Sequence, residues 1–436
     1  MKINSKRALF LPVLTAAVMS GAASAAAPDA TQIEQRIDAL SQQIEALKAQ
    51  VQQLKAQNEA LANQQEQLAA AAPASTTATA SSPLDKLSLW GYGEVNYSRP
   101  IHDVDQTSAD LARAVFGIGY KFDERTRFNS EYEVEHAVSS ADDAGEMEVE
   151  QFWIDHQLSD WASVKGGLFL IPAGYLNQTH EPTYYYGVNR NFVETLIIPS
   201  TWREGGFAFH GTTNQGIAWD VGLTTGLNLS KWDINPETPL DLEDAAPLQA
   251  SHQELSEANA AHLSQYLALN YNGLPGFNAG ASVFTGVATP FVAGLPDERV
   301  TLWEAHTRWR PGRFDLSALY ARGTISNTAD ANRLYPGASN PIPASFFGYY
   351  AQAAYAVWQR DEQRLVPFLR WERFNIGSSY EGIPQGFTAD ARPSERVWTY
   401  GANYYLNPHV VLKADYQSFQ TESMLDRFDL GLGLNF

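Results

Sequence analysis

Apolar and polar residues alternate along most of the chain from residue 87 to residue 436, in segments of about ten residues. The last segment places Phe428, Leu430, Leu432, Leu434 and Phe436 on one face, and Arg427, Asp429, Gly431, Gly433 and Asn435 on the other. A period of two is that of a β-strand whose two faces meet different surroundings. Segments of this length predict a transmembrane β-barrel, with an apolar outer surface and a polar lumen.

The alternating segments number about sixteen, and an even number is expected for a single-chain bacterial barrel. Their predicted starts are residues 88, 110, 126, 146, 162, 201, 217, 263, 277, 299, 313, 345, 363, 395, 410 and 425. The segments between them are alternately short and long, as are the periplasmic turns and extracellular loops of such barrels. The pattern therefore predicts an all-β, sixteen-stranded antiparallel barrel with both termini in the periplasm.

Residues 31–70 follow a different period, with apolar positions in a seven-residue repeat. The a and d positions of a helical coiled coil are occupied by Ile37, Leu40, Ile44, Leu47, Val51, Leu54 and Leu61. A lone polar helix cannot bury such a stripe, so the segment predicts self-association without defining the number of chains. Two alternatives remain open: the helix packs on the body of its own chain, or it acts as a periplasmic tether.

Residues 1–25 have the features of a secretory signal peptide: basic residues, a short apolar stretch and then small residues. An uncleaved anchor is the alternative, although the apolar stretch is too short for a stable transmembrane helix. Residues 71–86 are rich in alanine, serine and threonine and are predicted to form a flexible linker. The predicted order is signal peptide, coiled coil, linker and a barrel over residues 87–436.

Composition restricts the function further. The chain has no cysteine in 436 residues and a formal net charge of −19. These values exclude thiol chemistry and disfavour a nucleic acid partner. The sequence contains no Walker A, dinucleotide-binding or Gly-x-Ser-x-Gly motif, so we predict that the protein is not an enzyme, with no catalytic residues, no cofactor and no resident metal. The acidic segments 139–143 and 237–244 are predicted to be solvated, with calcium binding as the alternative.

Four short blocks of the predicted barrel and the last residue, Phe436, are distinctive. The blocks are residues 167–174 (GLFLIPAG), 180–182 (HEP), 186–191 (YGVNRN) and 197–202 (IIPSTW). They resemble the phosphate-selective porin (O and P) family, and Phe436 is similar to the C-terminal signature of outer-membrane barrels. The coiled coil resembles that of the family's dicarboxylate-porin relatives. The resemblance implies homotrimers of sixteen-stranded barrels, several of which prefer anions.

Residues 172–200 join the fifth and sixth predicted strands and are rich in tyrosine and proline. Because the segment is long and lightly charged, we predict that it folds into the lumen and constricts it. Its single basic residue is Arg190, which is predicted to face Glu181 and Glu194. The other charged residues predicted to line the pore are Arg113, Arg127, Glu131, Lys165, Arg308, Arg370 and Lys413.

Together these features predict a porin of the bacterial outer membrane that allows passive diffusion of small hydrophilic solutes. The resemblance favours anionic solutes, such as dicarboxylates or phosphate. The predicted partners are further copies of the chain in a homotrimer, the lipid and lipopolysaccharide of the membrane, and the solutes. The alternative function is an envelope tether whose barrel is mainly an anchor, but a purely structural barrel has no use for a charged lumen.

Overall fold

The structure is a computed structural model that describes residues 83–137, 145–237, 241–383 and 394–436. The predicted signal peptide, the coiled coil with its a and d positions, and most of the predicted linker lie outside these ranges. Nearly all of the described residues belong to the predicted barrel.

The described strands form one antiparallel sheet that closes on itself. They are β1 (Leu87–Pro100), β2 (Ser108–Lys121), β3 (Thr126–Glu135), β4 (Met147–Ser159), β5 (Ala162–Leu170), β6 (Arg203–Thr212), β7 (Ile217–Thr225), β8 (Leu263–Leu274), β9 (Phe277–Val287), β10 (Arg299–Trp309), β11 (Phe314–Ile325), β12 (Pro343–Tyr355), β13 (Trp358–Arg360), β14 (Gln363–Tyr380), β15 (Glu395–Asn407), β16 (Val410–Phe419) and β17 (Arg427–Asn435). Strand β13 continues β12, since both pair with β14 and only Ala356 and Val357 separate them. The wall therefore has sixteen strands, which confirms the predicted barrel.

The observed strands begin within two residues of the predicted starts. This agreement has a physical basis, because each wall residue must point either to the outside or to the interior. Strand β10 shows the result: from Val300 onward its residues alternate between buried and more exposed positions up to Trp309. A shift of one residue would reverse every side chain, so the alternation fixes the register as well as the strand.

The barrel closes where its first and last strands meet, and we call this pairing the seam. Strand β1 pairs with β17, with Val95 opposite Leu432. Gly91 and Phe436 exchange backbone hydrogen bonds of 3.2 and 2.9 Å. Since β1 also pairs with β2, the sheet has no free edge, as a sheet that spans a lipid bilayer requires.

Connections at the two ends of the barrel differ in length. Tight turns such as residues 275–276 join the strands at one end, where Gly276 has a φ of +72° that glycine adopts without steric cost. The longest described connections at the other end are residues 171–202, 226–262 and 326–342. The last of these holds a short helix, α1 (Thr328–Leu334). Among the residues that the structure describes, no helix is long and apolar enough to cross a membrane.

The outward side chains of the wall are apolar. In β17, Phe428, Leu430, Leu432 and Leu434 are 37–43% exposed, whereas Asp429 between them is buried. Exposed aromatic side chains near the short turns include Trp161, Trp309, Phe314 and Trp358. An apolar band bordered by aromatic residues is the surface that a barrel presents to lipid and to the membrane interface.

On the inside, the long connections pack against the wall and form an apolar cluster. The fully buried Trp202 lies with its ring centroid 4.5 Å from that of Phe284 on β9. Other members of the cluster are Ile171, Val193, Ile197, Leu229, Trp232, Leu248, Ile342 and Phe346. The cluster holds parts of three long connections inside the barrel.

Candidate functional site

The connection between β5 and β6, residues 171–202, lies inside the barrel, and we call it the inward loop. Its residues hydrogen-bond to nine strands, namely β1, β2, β10, β11, β12, β14, β15, β16 and β17. Only a segment inside the barrel can reach strands around most of its circumference. Backbone groups of the loop take part: the N–H of Val188 donates to Asp415 at 2.6 Å, and that of Gly187 to Asn403 at 3.2 Å.

Glu194 holds the inward loop together through hydrogen bonds to its carboxylate. Its carboxylate is 3% exposed and accepts hydrogen bonds from the backbone N–H groups of Tyr175 (2.5 Å) and Leu176 (2.6 Å). It also accepts from the side-chain amide of Asn191 (2.8 Å) and from the hydroxyl of Tyr350 (3.0 Å) on β12. A buried carboxylate is stable only when its lone pairs are satisfied, and here one carboxylate ties two parts of the loop to the wall.

A buried ion pair joins β1, β2 and the inward loop. Arg113 Nε lies 2.7 Å from Glu94 Oε1, and Arg113 Nη2 donates to the backbone carbonyl of His180 at 2.8 Å. The hydroxyl of Tyr185 donates to the other oxygen of Glu94 at 2.7 Å. Lys413 Nζ lies 3.5 Å from the centroid of the Tyr185 ring. Two residues predicted to line the pore, Arg113 and Lys413, are therefore buried between the wall and the loop.

Two further wall arginines, Arg308 on β10 and Arg370 on β14, are each paired with a carboxylate of the wall. Arg308 makes two hydrogen bonds with Asp315, of 2.7 and 2.5 Å. Arg370 Nε lies 3.0 Å from Glu372 Oε1, with exposed side-chain fractions of only 2% and 0%. Arg370 also donates to the backbone carbonyl of Tyr186 in the inward loop at 3.1 Å. These arginines attach the loop to the wall and carry carboxylate partners of their own.

Arg127 and Lys165 line a cavity of about 400 Å³ between the inward loop and the short turns. Arg127 Nη2 lies 2.8 Å from Asp155, and the arginine side chain is 56% exposed. Lys165 Nζ lies 2.8 Å from Asp220. Both predicted cations therefore line this cavity, Arg127 as an exposed and Lys165 as a buried side chain, and each has a carboxylate partner.

A second cavity, of about 510 Å³, lies on the side of the long connections, and we call it the mouth cavity. Seven glutamates and four arginines line it. Arg203 pairs with Glu148 at 2.5 Å and with Glu254 at 3.1 Å. Arg427 lies 3.2 Å from Asp429. With Arg113 also paired, three of the four arginines have a carboxylate partner.

Arg190 is the fourth arginine of the mouth cavity. Its guanidinium donates to the hydroxyl of Ser200 and, at 3.0 Å, to the hydroxyl of Thr201. In the described ranges Arg190 forms no ion pair with either glutamate that it is predicted to face. The carboxylate of Glu194 is bonded to groups of the loop and to Tyr350, whereas Glu181 interacts with Arg190 electrostatically without direct contact. Burial, and then the neighbouring Arg113, lower the pKa of Arg190 below its ordinary value. Its guanidinium is thus held by hydroxyl groups, and carboxylates such as Glu94 act on its charge only from beyond ion-pair distance.

Glu131 lies on β3 and is buried behind the inward loop. Its carboxylate accepts hydrogen bonds from the indole N–H of Trp90 at 2.7 Å and from the side-chain amide of Gln151. Close to it are two residues that the sequence analysis did not select, Glu150 and His180. Burial, with nearby arginines, holds the pKa of His180 well below its ordinary value, so the imidazole is neutral.

A signal for these residues exists in the sequence. Glu148 and Glu150 alternate with Met147 and Val149, which places both glutamates on the inward face of β4. His180 is part of the HEP block of the inward loop. The alternation shows whether a strand residue points into the barrel or out of it. It does not show which residue of the inward loop contacts that strand residue.

A closed barrel with an apolar outer face, ionisable side chains inside and a long inward loop is the architecture of an outer-membrane channel. Residues 242–423 match the sequence model of the family described as phosphate-selective porin O and P. The family resemblance is therefore confirmed over that region, which lies after the four blocks of residues 167–202. An uncharacterised protein from Aquifex aeolicus (strain VF5) is 28% identical over 345 residues, which are 76% of this chain and 75% of that protein.

Solved porin structures share the fold. OmpF of Salmonella typhi, solved in complex with daunomycin, superimposes with a TM-score of 0.55 at 14% identity, over 80% of this chain and 97% of that one. The channel DcaP of Acinetobacter baumannii gives 0.50 at 12% identity, over 80% and 97%. The anion-selective porin of Comamonas acidovorans also gives 0.50 at 12% identity, over 80% and 99%. At these identities the similarity concerns the fold.

Proposed function

We propose that the protein is a passive diffusion channel of the bacterial outer membrane, with a weak preference for small anions such as dicarboxylates or phosphate. The inward loop forms its constriction, since the loop crosses the interior between the two cavities. In this arrangement the short turns and both termini are periplasmic, and the long connections join the strands at the extracellular end of the barrel.

The observation that supports anion preference is the environment of Arg190. A guanidinium in the mouth cavity, held by two hydroxyl groups, keeps donor capacity for a further acceptor. Because burial and Arg113 disfavour its charge, an anion beside it is stabilised. Arginine binds carboxylate and phosphate groups through paired N–H donors, which suits both solute classes.

The glutamates of the mouth cavity limit this preference. Seven of them face four arginines, so the cavity as a whole is acidic. Charges of opposite sign in one narrow space produce a field across the path of the solute, and water screens that field only in part. We therefore expect the contact with Arg190 to favour anions. The glutamates of the mouth cavity should keep the channel permeable to cations as well.

Reversal potentials of single channels in a potassium chloride gradient test this proposal. Replacing Arg190 with glutamine removes the charge and keeps a polar side chain. We expect the chloride-to-potassium permeability ratio to fall on the order of fivefold, since a unit charge acting over about 4 Å in water contributes about 1 kcal/mol. As a control, Arg299→Gln removes one positive charge from an exposed position at the start of β10 and should leave the ratio unchanged. A wild-type channel that clearly prefers potassium contradicts the proposed selectivity.

We also propose that the chain forms a homotrimer, supported by the heptad repeat and by the family resemblance. Deleting residues 31–68 removes the coiled coil and keeps the barrel surface. We expect trimers that dissociate at a lower temperature than the full-length protein, measured by semi-native electrophoresis over a temperature series. Full-length protein that is monomeric in mild detergent contradicts this assembly.

A further inference from the structure

Three potential metal ligands from three different elements converge behind the inward loop. They are Glu131 on β3, Glu150 on β4 and His180 on the loop, with exposed fractions of 8%, 0% and 3%. One ligand atom from each lies within 4.8 Å of the others. His180 Nε2 is 3.5 Å from Glu150 Oε1. The three ligand atoms are therefore close enough to bind one common ion after small side-chain adjustments.

The hydrogen bonds around the cluster orient the ligands inward. His180 Nδ1 lies 2.9 Å from the backbone carbonyl of Asn177, which can only accept, so Nδ1 carries the hydrogen and Nε2 keeps its lone pair. The indole N–H of Trp90 holds one oxygen of Glu131 at 2.7 Å. Hydrogen bonds between metal-binding side chains and the residues around them fix the tautomer and the orientation of those side chains.

One oxygen of the cluster has no partner. Glu150 Oε1 is completely buried and receives no hydrogen bond in the described residues. Tyr92 does not supply it, because its single hydroxyl hydrogen is shared between Glu150 Oε2 at 3.1 Å and His180 Nε2 at 2.6 Å. The neighbouring Arg113 donates instead to Glu94 and to a backbone carbonyl. A buried carboxylate oxygen without a donor is costly, and a cation removes that cost.

We propose that Glu131, Glu150 and His180 bind a divalent transition-metal ion of the Zn²⁺ type. One imidazole and two carboxylates are common ligands of such ions, whereas Ca²⁺ and Mg²⁺ prefer oxygen ligands alone. The ion joins two wall strands to the inward loop, and so it fixes the loop in the interior. This inference does not depend on the selectivity proposed above, and it revises the expectation of no resident metal.

Zinc binding to the full-length protein tests the site. Protein purified in detergent is stripped with a chelator, dialysed and titrated with Zn²⁺ by calorimetry, and Co²⁺ serves as a spectroscopic probe. We expect one ion per chain. Both Glu150→Gln and His180→Gln should weaken binding at least about tenfold, since even the loss of an outer hydrogen bond has effects of that size. Glu146→Gln removes an exposed carboxylate four residues from Glu150 and should bind like the wild type.

A second measurement separates loss of the site from loss of the fold. Zn²⁺ should raise the unfolding temperature of the wild type and of Glu146→Gln, and leave that of His180→Gln unchanged, with all three migrating as folded barrels on unheated gels. Three results overturn the proposal: no stoichiometric Zn²⁺ binding by the wild type, equal binding by the ligand variants, or tighter binding of Ca²⁺ than of Zn²⁺. The first result would assign a shared proton, rather than a metal, to Glu150 and the neighbouring carboxylate of Glu133.

Discussion

Replacing Glu194 with alanine will loosen the inward loop, and we expect the free energy of unfolding to fall by about 3 kcal/mol or more. The substitution removes the acceptor of four hydrogen bonds, from Tyr175, Leu176, Asn191 and Tyr350. Two of these donors are backbone N–H groups that have no second acceptor among the described residues. The effect therefore combines lost hydrogen bonds with unsatisfied buried donors.

Urea unfolding in phospholipid vesicles measures the change in stability, and single-channel recording measures its consequence. A loop with fewer attachments should produce larger current fluctuations than the wild type at the same voltage. Glu181→Ala provides the matched control, because Glu181 lies on the same loop and its side chain accepts no hydrogen bond from another described residue. Equal stability and equal noise in the two variants would show that Glu194 does not hold the loop.

The second large effect is expected at Arg370. Its substitution by alanine leaves Glu372 buried without its cation, which in comparable cases costs about 3–5 kcal/mol. Glu372 is also bound to the inward loop, because its other oxygen accepts a hydrogen bond from the backbone N–H of Phe192 at 2.7 Å. The side chain therefore has no simple route to solvent, and the loop attachment at Tyr186 is lost as well.

A double-mutant cycle distinguishes this pairing from general packing. Arg370→Met combined with Glu372→Gln removes both charges, so the double variant should lose less stability than the sum of the two single variants. Arg360→Ala breaks an exposed pair with Asp361, at 3.9 Å, and should have no measurable effect. Strictly additive losses at Arg370 and Glu372 would contradict a specific ion pair.

The wall of the barrel was predictable from the sequence because the membrane imposes a simple rule. Lipid outside and polar groups inside force a period of two, and residues such as Leu430, Leu432 and Asp429 follow it. The inward loop was predictable for a different reason. Residues 172–200 are too long and too poor in charge to form an ordinary solvated connection.

The partners of interior charges were not predictable in this way. The pattern places Arg370 and Arg308 on the inward face, but it does not show that each carries its own carboxylate. It also gives no information about which wall residues the loop reaches, since Glu150 and His180 are separated by 30 positions and a complete strand. Such contacts depend on the path of the loop through the interior, which no local period encodes.

The seam has a consequence for how the barrel forms. Strands β1 and β17 come from opposite ends of the barrel sequence, so their pairing closes the longest chain loop in the fold and requires the largest loss of chain entropy. Contacts this distant in sequence slow folding, and the seam is expected to be the last pairing to form. The inward loop bonds to both sides of it, through Tyr185 to Glu94 on β1 and through Asn189 to Asp429 on β17. If the loop takes its place before closure, these two contacts hold the final edges close together and shorten the search for their pairing.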